Sequence, residues 1–257
     1  MIVVLLCTGC STLPSGRGWG GEATLTPSWS RVGTAAREAA SDPWVWAPLV
    51  GAALVQIDDW DRRAAAWACR HTPVFGSQSD AERWSDDLRD ASAALHYVTI
   101  AVMPSGQTAG EWLLNKARGT LVQVAAVSAT ANLNSRLKDI SDRRRPNGSD
   151  TQSFPSGHTS AAAVHMRLAS ENMHALDLAP GVTRALDIGF YALTIGTSWS
   201  RIEAGYHYPS DTLVGMALGH FLASFVNGAF LGNDAPVQVA FHAADGGGLL
   251  SVSVPLR

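Results

Sequence analysis

From Pro43 onward, apolar residues recur at helical spacing in segments separated by Pro, Gly and short polar clusters. Trp44–Ile57 is strongly apolar, and Asp58–Cys69 interleaves charges with Ala and Trp. Ser79–Met103 opens on Ser-Asp-Ala-Glu, a capping-box pattern, and turns apolar towards Pro104. Gly110–Leu137 carries Leu113, Leu114, Leu121, Val122, Val124 and Val127. An Ala-rich Thr159–Leu176, then Arg184–Trp199 and Pro209–Leu231, complete the predicted helices. The tail changes period. Val237–Phe241 and Leu250–Val254 alternate around Asp245-Gly-Gly-Gly248, which predicts a β-hairpin. The expected fold is all-α, a helical bundle with a short C-terminal β-hairpin.

Ahead of the helices, Ser11–Pro43 is rich in Gly, Ser, Thr and Pro and reads as a tether. Met1–Cys10, MIVVLLCTGC, is an apolar run too short to span a bilayer. It reads as a secretory signal ending in Thr-Gly-Cys. That ending resembles a bacterial lipoprotein cleavage box, with Cys7 where Leu usually stands, and makes Cys10 the candidate lipidation site. The expected organisation is a signal over 1–10, a tether over 11–43, a helical catalytic domain over 44–231 and a hairpin appendage over 232–257. Thr212–Leu231 is long enough to cross a membrane but contains His220, Ser224 and Asn227, and Leu113–Leu133 contains Lys116, Arg118 and Gln123. Polar groups at bilayer depth are costly, so both read as buried core helices.

Composition narrows the function. The 257 residues carry a net charge of −3, which provides no field for gripping nucleic acid. Charged residues are 16% and mean hydropathy is +0.05, as expected of large buried faces or of contact with a membrane. Any anion must be held by a local group of cations. After loss of the signal, Cys69 would stand alone and reads as a small buried hydrophobe.

Three short segments place unusual polar residues in this apolar chain. Lys138 and Arg145 flank a basic run that ends at Pro146; alone, such a run is a solvated helix end. Pro155-Ser156-Gly157-His158 leads into Thr159, a turn that feeds a helix. Ser156 and the Gly157 N–H can face an oxyanion there, because the first N–H groups of a helix are unpaired. The bland reading is a simple cap. In the third segment Arg201 precedes His207 and Asp211, with the two last four residues apart at a predicted helix start. A carboxylate on one imidazole nitrogen would leave the other free to attack, although a structural His–Asp bond has the same spacing. Arg143 and Arg144 fit no such scheme and read as peripheral charge. The Asp58, Asp59 and Asp61 patch reads as a solvated helix end. His165, His174, His220 and His242 read as ordinary core or surface histidines.

Taken in order, Lys-x6-Arg-Pro, Pro-Ser-Gly-His and Ser-Arg-x5-His-x3-Asp resemble the three signature motifs of the type 2 phosphatidic acid phosphatase (PAP2) superfamily. That superfamily includes bacterial class A acid phosphatases, lipid phosphate phosphatases and vanadium-dependent haloperoxidases. The resemblance implies a PAP2-like helical bundle. It further implies phosphate binding by Lys138, Arg145, Ser156, Gly157 and Arg201, attack by His207 to form a phosphohistidine, orientation of His207 by Asp211, and proton transfer by His158. No metal or other cofactor is implied, although vanadate would fit the phosphate site. The expected substrate is a phosphate monoester or pyrophosphate, lipid-linked, met on the periplasmic side of a bacterial envelope through a lipid anchor or peripheral contact. Rival expectations are small soluble esters, halide oxidation with vanadate, and phosphate binding without turnover.

Overall fold

The computed structural model describes residues 11–232 and two strands, 238–244 and 247–253. Eight α-helices follow in order: α1 Trp29–Ser41, α2 Pro43–Leu54, α3 Trp60–His71, α4 Gln78–Val102, α5 Ala109–Ser141, α6 Gly157–His174, α7 Pro180–Glu203 and α8 Pro209–Val226. A π-turn over Asn227–Leu231 extends α8. In the tail, β1 Gln238–Ala244 and β2 Gly247–Ser253 pair antiparallel, with Gln238 opposite Ser253 and Ala244 opposite Gly247. Met1–Cys10, and with it the expected lipidation at Cys10, lies outside the described residues.

The central pair is α6 and α8. Small residues decide this. A Cβ on Gly215 would stand 2.6 Å from the Ser156 carbonyl oxygen, and one on Gly219 would stand 2.4 Å from that of Ser160. The two backbones therefore approach more closely than any side chain allows. Around them lie α4 and α7 on the α6 side, α1 and α2 on the α8 side, and α5 across both. The polar residues of α8 that argued against a membrane span find protein partners. Arg167 donates to Ser224 Oγ at 2.8 Å, and Asn227 donates to Glu171. His220 is buried against the Trp44 and Tyr191 rings. So α8 is the inner helix of the bundle, although it is long and apolar enough to cross a membrane.

Residues 11–43 do not form the expected tether. Ser11 bridges to Gly106, and Trp19 donates its backbone N–H to the Pro104 carbonyl at 2.8 Å. The Trp19 side chain is 3% exposed and fills the slot that Gly119 leaves on α5. Lys116 covers its ring at 5.5 Å. Residues 29–41 then form α1, capped by Ser28 and docked on α8 through Ala35 and Ala39. The Gly-rich composition that suggests a flexible linker serves close packing here. Most predicted helices stand within a few residues of expectation, with α4 starting at a Ser77 cap rather than at Ser79.

Candidate active site

One end of the bundle gathers the three motif segments. There α5 and α7 finish and α6, α8 and α4 begin. α5 stops because Asp142 turns left-handed, with φ 44°, which leaves Lys138 in the last turn. α6 starts after Ser156, whose hydroxyl accepts from Thr159 N and Thr159 Oγ1. α7 ends two residues after Arg201. α8 starts at Pro209, a favourable first helical residue, and Asp211 Oδ2 accepts the Tyr208 N–H at 2.8 Å. The Ser156 N–H donates to the Asp211 carbonyl at 3.0 Å, which ties the second segment to the third.

His207 is 1% exposed. Its Nδ1–H donates to the Ser153 carbonyl at 2.6 Å. That bond fixes the proton on Nδ1 and leaves the lone pair on Nε2. The expected bond to Asp211 is absent: Asp211 Oδ2 stands 3.8 Å from Nδ1. The carboxylate acts one step removed, accepting the Ser153 hydroxyl at 2.6 Å and so holding the residue that holds His207. Burial pushes the His207 imidazole down to about 4, with Asp211 opposing, so the ring is neutral near pH 7.

The cations form one group. Arg145 and Arg201 both lie over the Tyr206 ring, at 4.9 Å and 4.1 Å from its centroid. Tyr206 OH donates to Glu82 at 2.6 Å. Arg201 Nη1 donates to Ser85 Oγ at 3.0 Å, while its buried Nε has no hydrogen-bond partner among the described residues. Burial and then Arg145 push the Arg201 guanidinium down to about 10. Burial and then Arg145 also push Lys138 down to about 8. A Cβ on Gly157 would lie 3.8 Å from Lys138 Cε, so the lysine sits against the Ser156-Gly157 turn. Lys138 donates to the Gln152 carbonyl, and Arg145 pairs with Asp150 at 2.8 Å. Lys138 and Arg201, both held below their usual range beside Arg145, and the unused buried donor of Arg201 are arranged to receive an anion.

Several contributors escape a sequence reading. Arg143, expected to be peripheral, donates to Asp211 Oδ1 at 2.6 Å, to Ser210 Oγ at 2.8 Å and to Asp61 Oδ2 at 2.6 Å. Asp61, expected on a solvated helix end, is 2% exposed and accepts the Ser210 N–H at 2.8 Å. Nothing local to either residue signals this, since the partners lie far apart in the chain. Helix α4 supplies a further wall through Glu82, Ser85, Asp86 and Arg89, the last two in contact with His158. Their i, i+3, i+4, i+7 spacing marks one helix face but carries no chemical signature. Asp58 stays exposed, and Arg144 stays on the surface. His165 is buried against His96, and His174 pairs at the surface with Asp187. Among the described residues, no group of three or more His, Cys, Asp or Glu side chains could hold a metal ion.

Comparison with known proteins agrees with this geometry. No curated protein matches the chain. A solved structure, the first transmembrane PAP2 type phosphatidylglycerolphosphate phosphatase from Bacillus subtilis, superposes with a TM-score of 0.54 at 21% identity. The match covers 72% of this chain and 92% of that one, and it shows a shared fold. The PAP2 superfamily model matches residues 119–233, a stretch that contains Lys138, the Ser156-Gly157-His158 turn, Arg201, His207 and Asp211.

Proposed function

We propose that this chain is a metal-independent phosphatase that cleaves phosphate monoesters or pyrophosphates through a phosphohistidine. The observation that carries the proposal is the neutral His207, its Nδ1 committed to the Ser153 carbonyl, beside Lys138, Arg145 and Arg201. The cations, with Ser156 and the Gly157 N–H, take up the charge of the phosphoryl oxygens. His207 Nε2 forms a bond to phosphorus as the bond to the leaving oxygen breaks, and His158, which takes up a proton when the phosphate dianion binds beside it, gives that oxygen the proton. Water then attacks phosphorus as the P–N bond breaks, and His158 takes the proton from water. Phosphate leaves and both rings return to their starting state.

The test is His207→Ala. Phosphate release falls to background, and the acid-labile phosphoenzyme trapped from wild type by rapid denaturation disappears. Turnover that survives the substitution would falsify the mechanism. Chelators leave wild-type activity unchanged. Vanadate, which takes the five-coordinate geometry of the phosphoryl transition state, inhibits competitively; vanadate-dependent halide oxidation without phosphate release would favour the haloperoxidase reading instead.

A lipid-linked substrate is the favoured class. Its support is a groove of about 660 Å³ between α2, α7 and α8, lined by Trp44, Pro48, Ile195, Trp199, Leu213 and Met216. At one end it reaches Ile202 and Pro209, residues that flank Arg201 and His207 in sequence. Small soluble esters remain the rival. Assay of one phosphate headgroup on short and long alkyl chains separates them: kcat/KM rises with chain length for a lipid enzyme and stays flat for a soluble-ester enzyme. The expected location, the periplasmic side of an envelope membrane with an anchor at Cys10, forms part of the same proposal. Palmitate labelling that Cys10→Ser abolishes is its test.

A further inference from the structure

The turn between Arg201 and His207 carries one aromatic ring for which the mechanism above has no use. Gly205 sits at φ 76°, a left-handed conformation that glycine adopts freely. The chain doubles back there, and the Tyr206 N–H donates to the Arg201 carbonyl at 3.2 Å. The Tyr206 ring thereby meets two guanidiniums, Arg201 at 4.1 Å and Arg145 at 4.9 Å from its centroid. Its hydroxyl donates to Glu82 Oε1 at 2.6 Å. That bond, more than burial, holds the phenol above its usual range, so the hydroxyl keeps its proton.

These contacts close a loop. Ser85 donates its hydroxyl to the Glu82 carbonyl at 2.7 Å and accepts from Arg201 Nη1 at 3.0 Å. Arg201 is thus held over the Tyr206 ring and at one edge by Ser85, and a single turn of α4 fixes both holders. A guanidinium stacked on a ring spends its π face and keeps its in-plane N–H groups. A carboxylate in the same place would consume those donors. Arg201 Nε has no hydrogen-bond partner among the described residues, and Arg145 Nε, 2.8 Å from Asp150 Oδ1, is out of line for a hydrogen bond. The two cations also repel: burial and then Arg145 push Arg201 down to about 10. The negative face of an aromatic ring attracts both without neutralising either.

We propose that Tyr206 is a positioning residue for Arg145 and Arg201, its ring holding both guanidiniums with N–H groups free for phosphate oxygens and Glu82 fixing the ring. The proposal rests on the phosphate site assigned above and deepens it. The site is then assembled before the anion arrives, which leaves less ordering to be done on binding. Tyr208 makes the contrast. It lies against Arg143 at 4.3 Å, the guanidinium already committed to Asp61 and Asp211. In sequence, His207 therefore stands between a ring that serves the phosphate-binding arginines and a ring that serves a structural one.

The experiment measures equilibrium binding of inorganic phosphate to the full-length protein by calorimetry. Position 206 carries tyrosine, phenylalanine, or phenylalanine with one, two or three ring fluorines. Fluorine drains the negative face of the ring and nearly preserves its size. Tyr206→Phe is expected to bind within about threefold of wild type, since it loses only the bond to Glu82. Across the fluorinated series Kd rises stepwise, by about tenfold in all. A ring that merely fills space gives the same Kd throughout. That result, or tighter binding with fluorination, overturns the proposal; if His207→Ala has still lost phosphate release, the phosphatase reading stands without it. A graded Kd in a protein that releases phosphate from no ester upholds the role of Tyr206 and overturns the phosphatase reading. Absence of phosphate binding in wild type overturns both.

Discussion

At the residue scale, the proposed nucleophile depends on a chain of contacts that ends well away from it. His207 is held by the Ser153 carbonyl, Ser153 by Asp211, Asp211 by Arg143, and Arg143 by Asp61. Asp61 and Asp211 are both buried, and the planar guanidinium of Arg143 serves the two carboxylates at once. Arg143→Ala leaves two buried carboxylates without their cation. Breaking such a pair costs about 3–5 kcal/mol when fully buried, and the partial exposure of Arg143 brings the expected loss nearer 2–3 kcal/mol. Urea unfolding measures it directly. Arg143→Lys is expected to recover little, because a point charge cannot bridge both carboxylates. In both variants kcat falls more than KM rises, since the residue positions the nucleophile and does not touch phosphate.

The same buried rings make stability depend on pH. His158 and His207 titrate near 4 in the folded protein, whereas an unfolded chain takes up these protons near 6.5. Between those values the unfolded state binds more protons than the folded state. Stability is therefore full above about 6.5 and is lost as pH falls towards 4. The urea midpoint at pH 4.5 should lie below that at pH 7, and His158→Gln should narrow the gap. An equal midpoint at both pH values would show that these rings are not buried neutral. A bound phosphate analogue should reduce the loss as well, because a dianion favours protonation of the nearby rings.

At the scale of elements, what the sequence reveals depends on how local the signal is. Seven helices announce themselves by apolar spacing and by Pro or Gly punctuation, and the helix starts at Ser156 and Pro209 carry their caps in adjacent residues. The histidines proposed for catalysis and the cations beside them sit in short motifs, so their types and spacing are legible. The wall from α4 is not, because Glu82, Ser85, Asp86 and Arg89 look like any solvated helix face until α7 and the Ser156 turn are brought against them. Nor is α1. Its two buried alanines, Ala35 and Ala39, give too narrow an apolar stripe to outweigh the Gly, Ser and Pro around it. The segment before α1 reads as a tether for a related reason: glycine signals freedom in a linker and close approach in a packed segment, and only the Trp19 slot on Gly119 decides between them. Trp19→Ala should therefore destabilise by about 3–5 kcal/mol in thermal or urea unfolding. If residues 11–28 were a free tether, the substitution would cost nothing measurable.

At the scale of the whole molecule, much of the exposed apolar surface lies along the flanks of four helices. The end with the proposed phosphate site is rich in ionisable groups, among them Glu82, Asp86, Arg89, Lys138 and Arg145. Away from it, four helices expose apolar side chains: Trp46, Leu49, Val50 and Leu54 on α2, Leu95, Val98 and Val102 on α4, Leu113, Leu114 and Leu121 on α5, and Ile188 and Ile195 on α7. The exposed face of α2 carries no charged residue at all between Pro43 and Ile57. Contiguous exposed apolar side chains mark a surface suited to a membrane or a partner. The proposed lipid-linked substrate gives it a purpose: a bundle resting its apolar sides against acyl chains would keep the charged end at the headgroup level, where a lipid phosphate lies. Flotation with phosphatidylcholine vesicles tests this with the Cys10→Ser protein, so that no lipid anchor contributes. The expected result is co-flotation that resists about 0.5 M salt, where the Debye length is roughly 4 Å, and that weakens when Trp46, Leu49 and Leu54 are replaced together by Ser. Those three side chains are exposed, so the triple variant keeps its fold and its activity on p-nitrophenyl phosphate while losing rate on vesicle-borne substrate. Equal rates on both substrates in wild type and variant would place the lipid surface elsewhere on the molecule, or remove it from the function.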